Sequence, residues 1–297
     1  MQKPNFKFWF LFFIAIFLLA WGFNLSQNKQ AQEGFNKLEN FLKNRNQSNQ
    51  EVDQFKGLVD AEIALVGNIK TGKTMYSRNA DLHTFPASIG KLIAALVVID
   101  KMNMEDIITV KGNMVNPNWG TPHFEVGEKV KVKDLLEMGL VMSANDAFMI
   151  LAMNQGEGIF VGWMDQKSKE IGLKNTGFFD PLFFDSQGNF TTALDLFELS
   201  RYIYNSSPQI GEITRKQAYS FKSESGIIHL VVPTNELLTK IPEIWGAKTG
   251  VTPEAKECLL VIYEFDGDPY VTIVLKSGNR FKDTEILYQW LKNKINK

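Results

Sequence analysis

The 297-residue chain has little cysteine, little histidine and almost no net charge. Its one cysteine, Cys258, excludes an internal disulfide, and its place in the apolar run CLLVIY is typical of a buried side chain. The three histidines, His83, His123 and His229, are scattered along the sequence, which argues against a closed zinc site. The formal charge is -1 and no Lys/Arg cluster stands out, so the sequence gives no indication of nucleic-acid binding.

The N-terminus carries the longest apolar run in the chain. Lys3 and Lys7 precede FWFLFFIAIFLLAWGFNL, which is uncharged from Phe8 to Leu25. This run is long enough for a short membrane helix and also resembles the core of a signal peptide. We expect residues 1–25 to anchor the protein in the cytoplasmic membrane, with cleavage and secretion as the alternative. Both interpretations place the rest of the chain outside the cytoplasm.

Residues 26–56 are rich in Gln, Asn and Lys, which predicts a polar linker or stalk. The remaining segment, 57–297, has alternating apolar and polar patterns and enough length for one large catalytic domain. The predicted organisation is therefore an anchor, a linker and a folded domain.

Strand patterns lie at both ends of this domain, around a central helical block. AEIALVGNI and TMYS predict an early hairpin, and ECLLVIYEF and PYVTIVLK, joined by DGD, predict a late one. Helical spacing occurs in PASIGKLIAALVVIDKM, VKDLLEMGLVM, SANDAFMILAM and TTALDLFELSRYIY. A closing amphipathic helix places four apolar residues on one face: Ile286, Leu287, Trp290 and Leu291. This order predicts an α/β (α+β) fold without βαβ alternation.

The stretch GNIKTGKT, from Gly67 to Thr74, fits the phosphate-binding loop G-x-x-x-x-G-K-[ST] and also contains K-T-G. A phosphate loop needs a helix that begins at its final Lys-Thr. The residues that follow, MYSRNADLHTF, lack helical apolar spacing and lead to Pro86. We therefore predict a hairpin turn in which Gly72 supplies a positive φ.

Three short motifs occur in the order found in penicillin-reactive serine enzymes. They are S-x-x-K at Ser88 and Lys91, S-x-N at Ser143 and Asn145, and K-T-G at Lys248–Gly250. Each alone is weak, and its residues have ordinary interpretations as helix caps, a snorkelling lysine or a strand end. Their combination, in the expected structural settings, predicts a catalytic site.

Ser88 and Lys91 are three residues apart on a predicted helix, so their side chains share one face. Lys91 can act as a base only when neutral, and at an ordinary pKa of about 10.4 roughly one molecule in 2,500 is neutral at pH 7. Lowering that pKa by roughly three units costs about 4 kcal/mol. We expect burial and a neighbouring cation, Lys248, to lower the pKa of Lys91 in this way. The backbone N–H groups of Ser88 and Val251 are the expected oxyanion hole.

The other motif residues have predicted roles around this pair. Ser143 is expected to relay a proton to the leaving amine, and Asn145 to fix the geometry and the substrate amide. Lys248 and Thr249 are expected to bind a substrate carboxylate. Gly250 allows the substrate backbone to approach the strand closely.

Longer stretches resemble the serine-type D-Ala-D-Ala carboxypeptidases, which are low-molecular-mass penicillin-binding proteins. They lie between about Gly57 and Trp290: TGKTMYSRNADLHTFPASIGK, VGEKVKVKDLLEMGLVMSANDA, KEIGLKNTGFFDP and TNELLTKIPEIWGAKTGVTPEAKECLL. The resemblance implies a β-lactamase/transpeptidase-like fold: an antiparallel sheet of N- and C-terminal strands packed by helices, a mainly helical subdomain, and the active site between them. It also places the early K-T-G on the family's first hairpin turn.

The resemblance implies hydrolysis of the D-Ala-D-Ala end of peptidoglycan stem peptides, through acylation of Ser88. β-Lactams would acylate the same serine, and neither a metal nor an organic cofactor is needed.

Two departures and three alternatives accompany this prediction. Asp180–Phe184 (DPLFF) stands where the family usually has Asn-Pro-Thr-Gly-Leu, and Val251 stands where it usually has Tyr or His.

A D,D-endopeptidase would use the same chemistry. A class A β-lactamase needs E-x-x-L-N, which Glu170–Lys174 (EIGLK) approximates but does not match. A wall-binding module without turnover is the non-enzymatic alternative.

Overall fold

The computed structural model describes residues 55–186 and 188–296. The predicted anchor and nearly all of the predicted linker lie outside the described residues. Within the described residues, no helix has both the length and the apolar character needed to cross a membrane.

In the described part of the chain, strands from both ends form one five-stranded antiparallel sheet in the order β2-β1-β9-β8-β7. These strands are β1 (Ile63–Asn68), β2 (Lys73–Arg78), β7 (Ile244–Thr252), β8 (Lys256–Phe265) and β9 (Asp268–Ser277). Both predicted hairpins are confirmed. The late strand β7 lies at the edge of the sheet, so no strand among the described residues covers one side of its backbone.

Seven α-helices lie within the described residues. They are α1 (Lys91–Lys101), α2 (Val132–Val141), α3 (Asn145–Gln155), α4 (Glu157–Ile171), α5 (Ala193–Ser206), α6 (Pro208–Thr214) and α7 (Arg280–Ile295). The five helices that the apolar spacing predicts are confirmed as α1, α2, α3, α5 and α7. The spacing did not indicate α4, whose second half is mostly polar, or the short α6.

Two small two-stranded antiparallel sheets lie outside the central sheet. They pair β3 (Ile107–Thr109) with β4 (Lys129–Lys131), and β5 (Tyr219–Lys222) with β6 (Ile228–Val231). Strands of three or four residues give too little alternation to be recognised from sequence.

The central sheet has an apolar core on each face because successive side chains of a strand point to opposite sides. In β1, Ile63 and Leu65 pack toward α1 and the helical block, whereas Ala64 and Val66 pack toward α7. Leu287, Trp290 and Leu291 of α7 are buried in the second core, as the amphipathic pattern predicts. Phe55 is also buried there against Tyr76 and Trp290, so the packed core extends slightly upstream of Gly57.

The early K-T-G is the turn between β1 and β2, as predicted. Gly72 has φ +69°, and the backbone N–H of Thr71 donates to the Asn68 side chain at 2.8 Å. Lys73 and Thr74 begin a strand, which excludes the phosphate-loop geometry.

Candidate active site

The first motif lies in a tight turn at the start of α1. Residues Ala87–Gly90 form a 3₁₀ turn, and the α-helix proper begins at Lys91. Ala87 has φ +46°, an unusual conformation for a residue with a side chain. The turn leaves Ser88 partly exposed and brings its Oγ to 2.9 Å from the Lys91 Nζ. The predicted nucleophile and base are therefore within hydrogen-bonding distance.

Lys91 is fully buried, and burial lowers its pKa to about 7. The carboxylates of Asp146 and Asp180 act in the opposite direction, because a nearby negative charge favours the ammonium form. Lys248 was expected to help lower the pKa of Lys91, but burial alone accounts for the lowering. Burial, with the charges of Lys91 and Arg280, lowers the pKa of Lys248 well below its usual range.

The second motif lies at the junction between α2 and α3. Ser143 adopts φ +64° there, and its Oγ accepts a hydrogen bond from Lys248 Nζ at 2.9 Å. Asn145 begins α3, and its Oδ1 accepts a hydrogen bond from Lys91 Nζ at 2.6 Å. The Asn145 amide in turn donates to the backbone carbonyl of Trp119. Two linked pairs result, one that joins Lys91 to Asn145 and one that joins Ser143 to Lys248.

The third motif lies on the edge strand β7, beside the Ser88 turn. Lys248 and Thr249 are buried, and the Thr249 hydroxyl is hydrogen-bonded to that of Thr234. A Cβ on Gly250 would lie 3.0 Å from the backbone nitrogen of Ser88. Such a contact is tighter than side chains normally make, so the strand can approach the nucleophile this closely only with glycine.

The structure thus brings together every residue predicted for the site. Val251 follows Gly250 on the same edge strand, and its side chain is 61% exposed. The backbone of an edge strand is suited to pairing with an extended peptide. The assignment of the Ser88 and Val251 N–H groups as an oxyanion hole remains a prediction.

The unusual loop Asp180–Phe184 packs inward. The Asp180 Oδ1 accepts hydrogen bonds from the backbone N–H groups of Leu182 and Phe183, both at 2.8 Å. Leu182 and Phe183 are buried, whereas Phe184 is 39% exposed. Phe183 packs against Gly90 of the first motif, and Phe184 is the most exposed side chain of this loop.

Four residues that contribute to the site were not identified from sequence: Trp119, Asp146, Thr234 and Arg280. Asp146 could have been identified from sequence, because it directly follows Asn145. In the structure its carboxylate accepts a hydrogen bond from the backbone N–H of Phe124. Arg280 Nη1 donates to the carbonyl of Gly250 at 3.0 Å. Trp119, Thr234 and Arg280 had no sequence signal, because their roles depend on contacts between distant segments.

The stretch that approximates the lactamase motif lies away from this site. Glu170 forms an ion pair with Lys167 at 2.8 Å, and Lys167 pairs with Asp100 at 2.6 Å. Asp100 is nine residues beyond Lys91 on α1, which corresponds to about 14 Å along the helix. Glu170 is therefore not placed to activate a water molecule beside Ser88.

Comparison with known proteins gives a consistent result. Residues 46–279 match the family described as D-alanyl-D-alanine carboxypeptidase. The chain is 29% identical over 207 residues to the D-alanyl-D-alanine carboxypeptidase DacF of Bacillus subtilis, a match that covers 67% of this chain and 53% of that protein. It is 32% identical over 244 residues to a D-alanyl-D-alanine endopeptidase of Pseudomonas aeruginosa, with 77% of this chain and 76% of that protein covered.

Solved structures share the fold. The crystal structure of a Streptomyces DD-transpeptidase is similar with a TM-score of 0.72 and 26% identity, over 79% of this chain and 96% of that one. A penicillin-binding protein from Listeria monocytogenes in its ampicillin-bound form is similar with a TM-score of 0.67 and 30% identity, over 78% and 96% of the two chains. These similarities confirm the predicted antiparallel sheet packed by helices.

Proposed function

Because the chain belongs to the D-alanyl-D-alanine carboxypeptidase family, we propose that it is a serine-type hydrolase that removes the terminal D-alanine from peptidoglycan stem peptides. The observation that carries the proposal is the contact of 2.9 Å between Ser88 Oγ and a buried Lys91 whose pKa is about 7. At that pKa the amine is neutral in about half of the molecules at pH 7, so it can accept the serine proton.

Acylation begins when Lys91 Nζ accepts the proton of Ser88 Oγ and the oxygen attacks the carbonyl of the penultimate D-alanine. The Oγ–C bond forms, and the carbonyl oxygen becomes an oxyanion. The backbone N–H groups of Ser88, in the turn, and of Val251, on the edge strand, are the proposed donors that stabilise this charge. Gly250 matters because its missing side chain lets the two segments meet.

The C–N bond then breaks and the leaving amine takes a proton. Ser143 is the proposed relay, because its hydroxyl is linked to the buried Lys248 and borders the same site. Its hydroxyl gives a proton to the amine and regains one from Lys91, which becomes neutral again. Asn145 keeps Lys91 in position through its Oδ1. Water then attacks the acyl-enzyme, with Lys91 as the base, and releases the shortened peptide together with free Ser88.

Recognition of the terminal carboxylate is assigned to Lys248 and Thr249 on the edge strand. A carboxylate beside Lys248 would raise the pKa of that amine and favour its charged form. Arg280, whose guanidinium bonds the Gly250 carbonyl, adds positive charge to the same region. β-Lactams carry a comparable carboxylate beside a reactive amide, and we propose that they acylate Ser88 as covalent inhibitors.

A D,D-endopeptidase is the second candidate activity. It is supported by the endopeptidase of Pseudomonas aeruginosa, of which 76% is covered by the match. The chemistry at Ser88 would be identical, and the difference would lie in whether the leaving amine belongs to a single D-alanine or to a cross-linked side chain.

For localisation, we propose an extracytoplasmic domain held at the cytoplasmic membrane by residues 1–25. The support is the apolar run behind Lys3 and Lys7 and the polar stretch after it. The proposed substrate, the cell-wall peptide, is found in that compartment.

The full-length protein in detergent, incubated with a fluorescent penicillin and with a pentapeptide ending in D-Ala-D-Ala, tests the proposed reaction. Wild type should form a long-lived adduct on Ser88 and release D-alanine, and Ser88→Ala should do neither. Rapid turnover of the penicillin would instead identify a β-lactamase. Labelling without release of D-alanine from the pentapeptide, but with cleavage of a cross-linked dimer, would identify an endopeptidase.

A further inference from the structure

Gly90 and Phe183 are packed against each other at the centre of the first motif. A Cβ built on Gly90 would lie 2.3 Å from the ring of Phe183, a distance that real side chains do not show. Gly90 stands between Ser88 and Lys91 in the chain, and the Phe183 ring is fully buried. The aromatic ring therefore occupies the space directly against the turn that carries the nucleophile and the base.

Several contacts hold Phe183 in this position although its backbone is unfavourable. Its φ of +61° is unusual for a bulky residue. The Asp180 carboxylate accepts its N–H at 2.8 Å, and the Asn189 side chain donates to the carbonyl of Phe184 at 3.0 Å. The ring of Phe178 also packs edge-on against it at 5.7 Å between centroids. A strained backbone that the surroundings enforce is a pointer to a functional role.

We propose that Phe183 is a positioning residue whose ring, seated on Gly90, fixes the Ser88–Lys91 turn and keeps water away from the Lys91 amine. This inference rests on the proposed function, because it assigns Phe183 an effect on the reaction through Lys91. The contact also explains how Phe183 fits where the D-Ala-D-Ala carboxypeptidases usually have glycine. The ring occupies the space left by the missing side chain of Gly90.

The charged groups around Lys91 come from three other segments. Asp146 lies on α3, Asp180 lies in the same loop as Phe183, and Lys248 lies on β7. The two carboxylates favour the ammonium form of Lys91, so exclusion of water is what holds its pKa at about 7. Opening the space under the turn would admit water and leave the carboxylates in place. The pKa of Lys91 should then rise.

The first test measures the rate of Ser88 acylation by a fluorescent penicillin against pH. For Phe183→Ala we expect the midpoint of the profile to move upward by about one pH unit. We expect the plateau rate to fall by about tenfold or more, because a displaced turn misaligns the reacting atoms. Phe183→Leu should shift the midpoint in the same direction by less, and it supplies a variant that folds if the alanine variant does not.

Phe197 provides a matched control, because its ring packs on another glycine far from the site. A Cβ on Gly67 of β1 would lie 2.6 Å from the Phe197 ring, which is also buried. Phe197→Ala and Phe197→Leu should lower thermal stability but leave the pH midpoint unchanged. A general loosening of the core would move the midpoint in both sets of variants and would contradict the proposal.

A second test uses the reciprocal substitution. Gly90→Ala should slow acylation by about a hundredfold, because its Cβ would displace the turn from the Phe183 ring. The double variant Gly90→Ala/Phe183→Ala should react faster than Gly90→Ala alone, because the ring is gone.

Formation of the Ser88 adduct by wild type distinguishes failure of this inference from failure of the proposed function. If wild type forms no adduct on Ser88, the proposed function fails and the inference fails with it. If wild type forms the adduct, an unchanged pH midpoint in both Phe183 variants overturns the inference alone, as does a double variant that is as slow as Gly90→Ala.

Discussion

The pH dependence of acylation follows quantitatively from the environment of Lys91. Its pKa of about 7 means that the neutral amine makes up about one tenth of the molecules at pH 6 and about nine tenths at pH 8. The neutral form is the base, so the maximal acylation rate should rise roughly tenfold over that interval and level off above it. A lysine with an ordinary pKa of about 10.4 would give a rise of roughly a hundredfold and no plateau below pH 9.

Stopped-flow acylation with a fluorescent penicillin at saturating concentration measures this profile directly. Saturation matters because the charge of Lys248 also changes with pH and affects binding of the carboxylate. Thermal unfolding at each pH serves as the control that the protein remains folded. A rate that continues to increase tenfold per pH unit up to pH 9 would refute the argument from burial.

Three further predictions concern the same site. Lys91→Met should abolish acylation yet raise the free energy of unfolding at pH 7 by up to about 4 kcal/mol, measured by denaturant unfolding. A lysine whose pKa is lowered in the folded state destabilises the fold fully below that pKa. The destabilisation decreases as the pH rises towards about 10.4, the pKa of the unfolded state. Calorimetry of Ser88→Ala with a penicillin, in buffers of different ionisation enthalpy and over a range of pH, should show proton uptake where the bound carboxylate raises the lowered pKa of Lys248. No uptake at any pH would contradict its assignment to the carboxylate. Gly250→Ala should slow acylation by about tenfold or more, whereas Gly112→Ala, where a Cβ would meet no atom of the described residues within 4 Å, should have no effect.

The sequence was most informative where local pattern and chemistry coincide. Apolar runs and helical spacing predicted four of the five strands of the central sheet and five of the helices, because these elements bury long apolar segments between turn signals. The three motifs could be assigned to one site because Ser88 and Lys91 lie within one helical turn and because the three motifs occur in the order found in the resembling family. The early K-T-G could be set aside from its own context, since a strand and not a helix follows it.

The remaining features depend on contacts that no local pattern encodes. The carbonyl of Trp119 reaches Asn145 from a loop 26 residues away in sequence, and Thr234 reaches Thr249 across the edge of the sheet. The departure at Phe183 was visible in the sequence, but the direction in which its side chain packs was not. It packs inward because Gly90 leaves room for its ring, and this pairing of a small and a large residue is visible only in three dimensions.

The central claim is that the Lys91 amine loses its proton near neutral pH in the folded protein. NMR titration of ¹³C-labelled lysine side chains, with Lys91→Met to assign the signal, measures that event at the atom concerned. The account predicts a transition centred at about pH 7 for the assigned resonance. A transition above about pH 10, the range of an ordinary lysine, would contradict it.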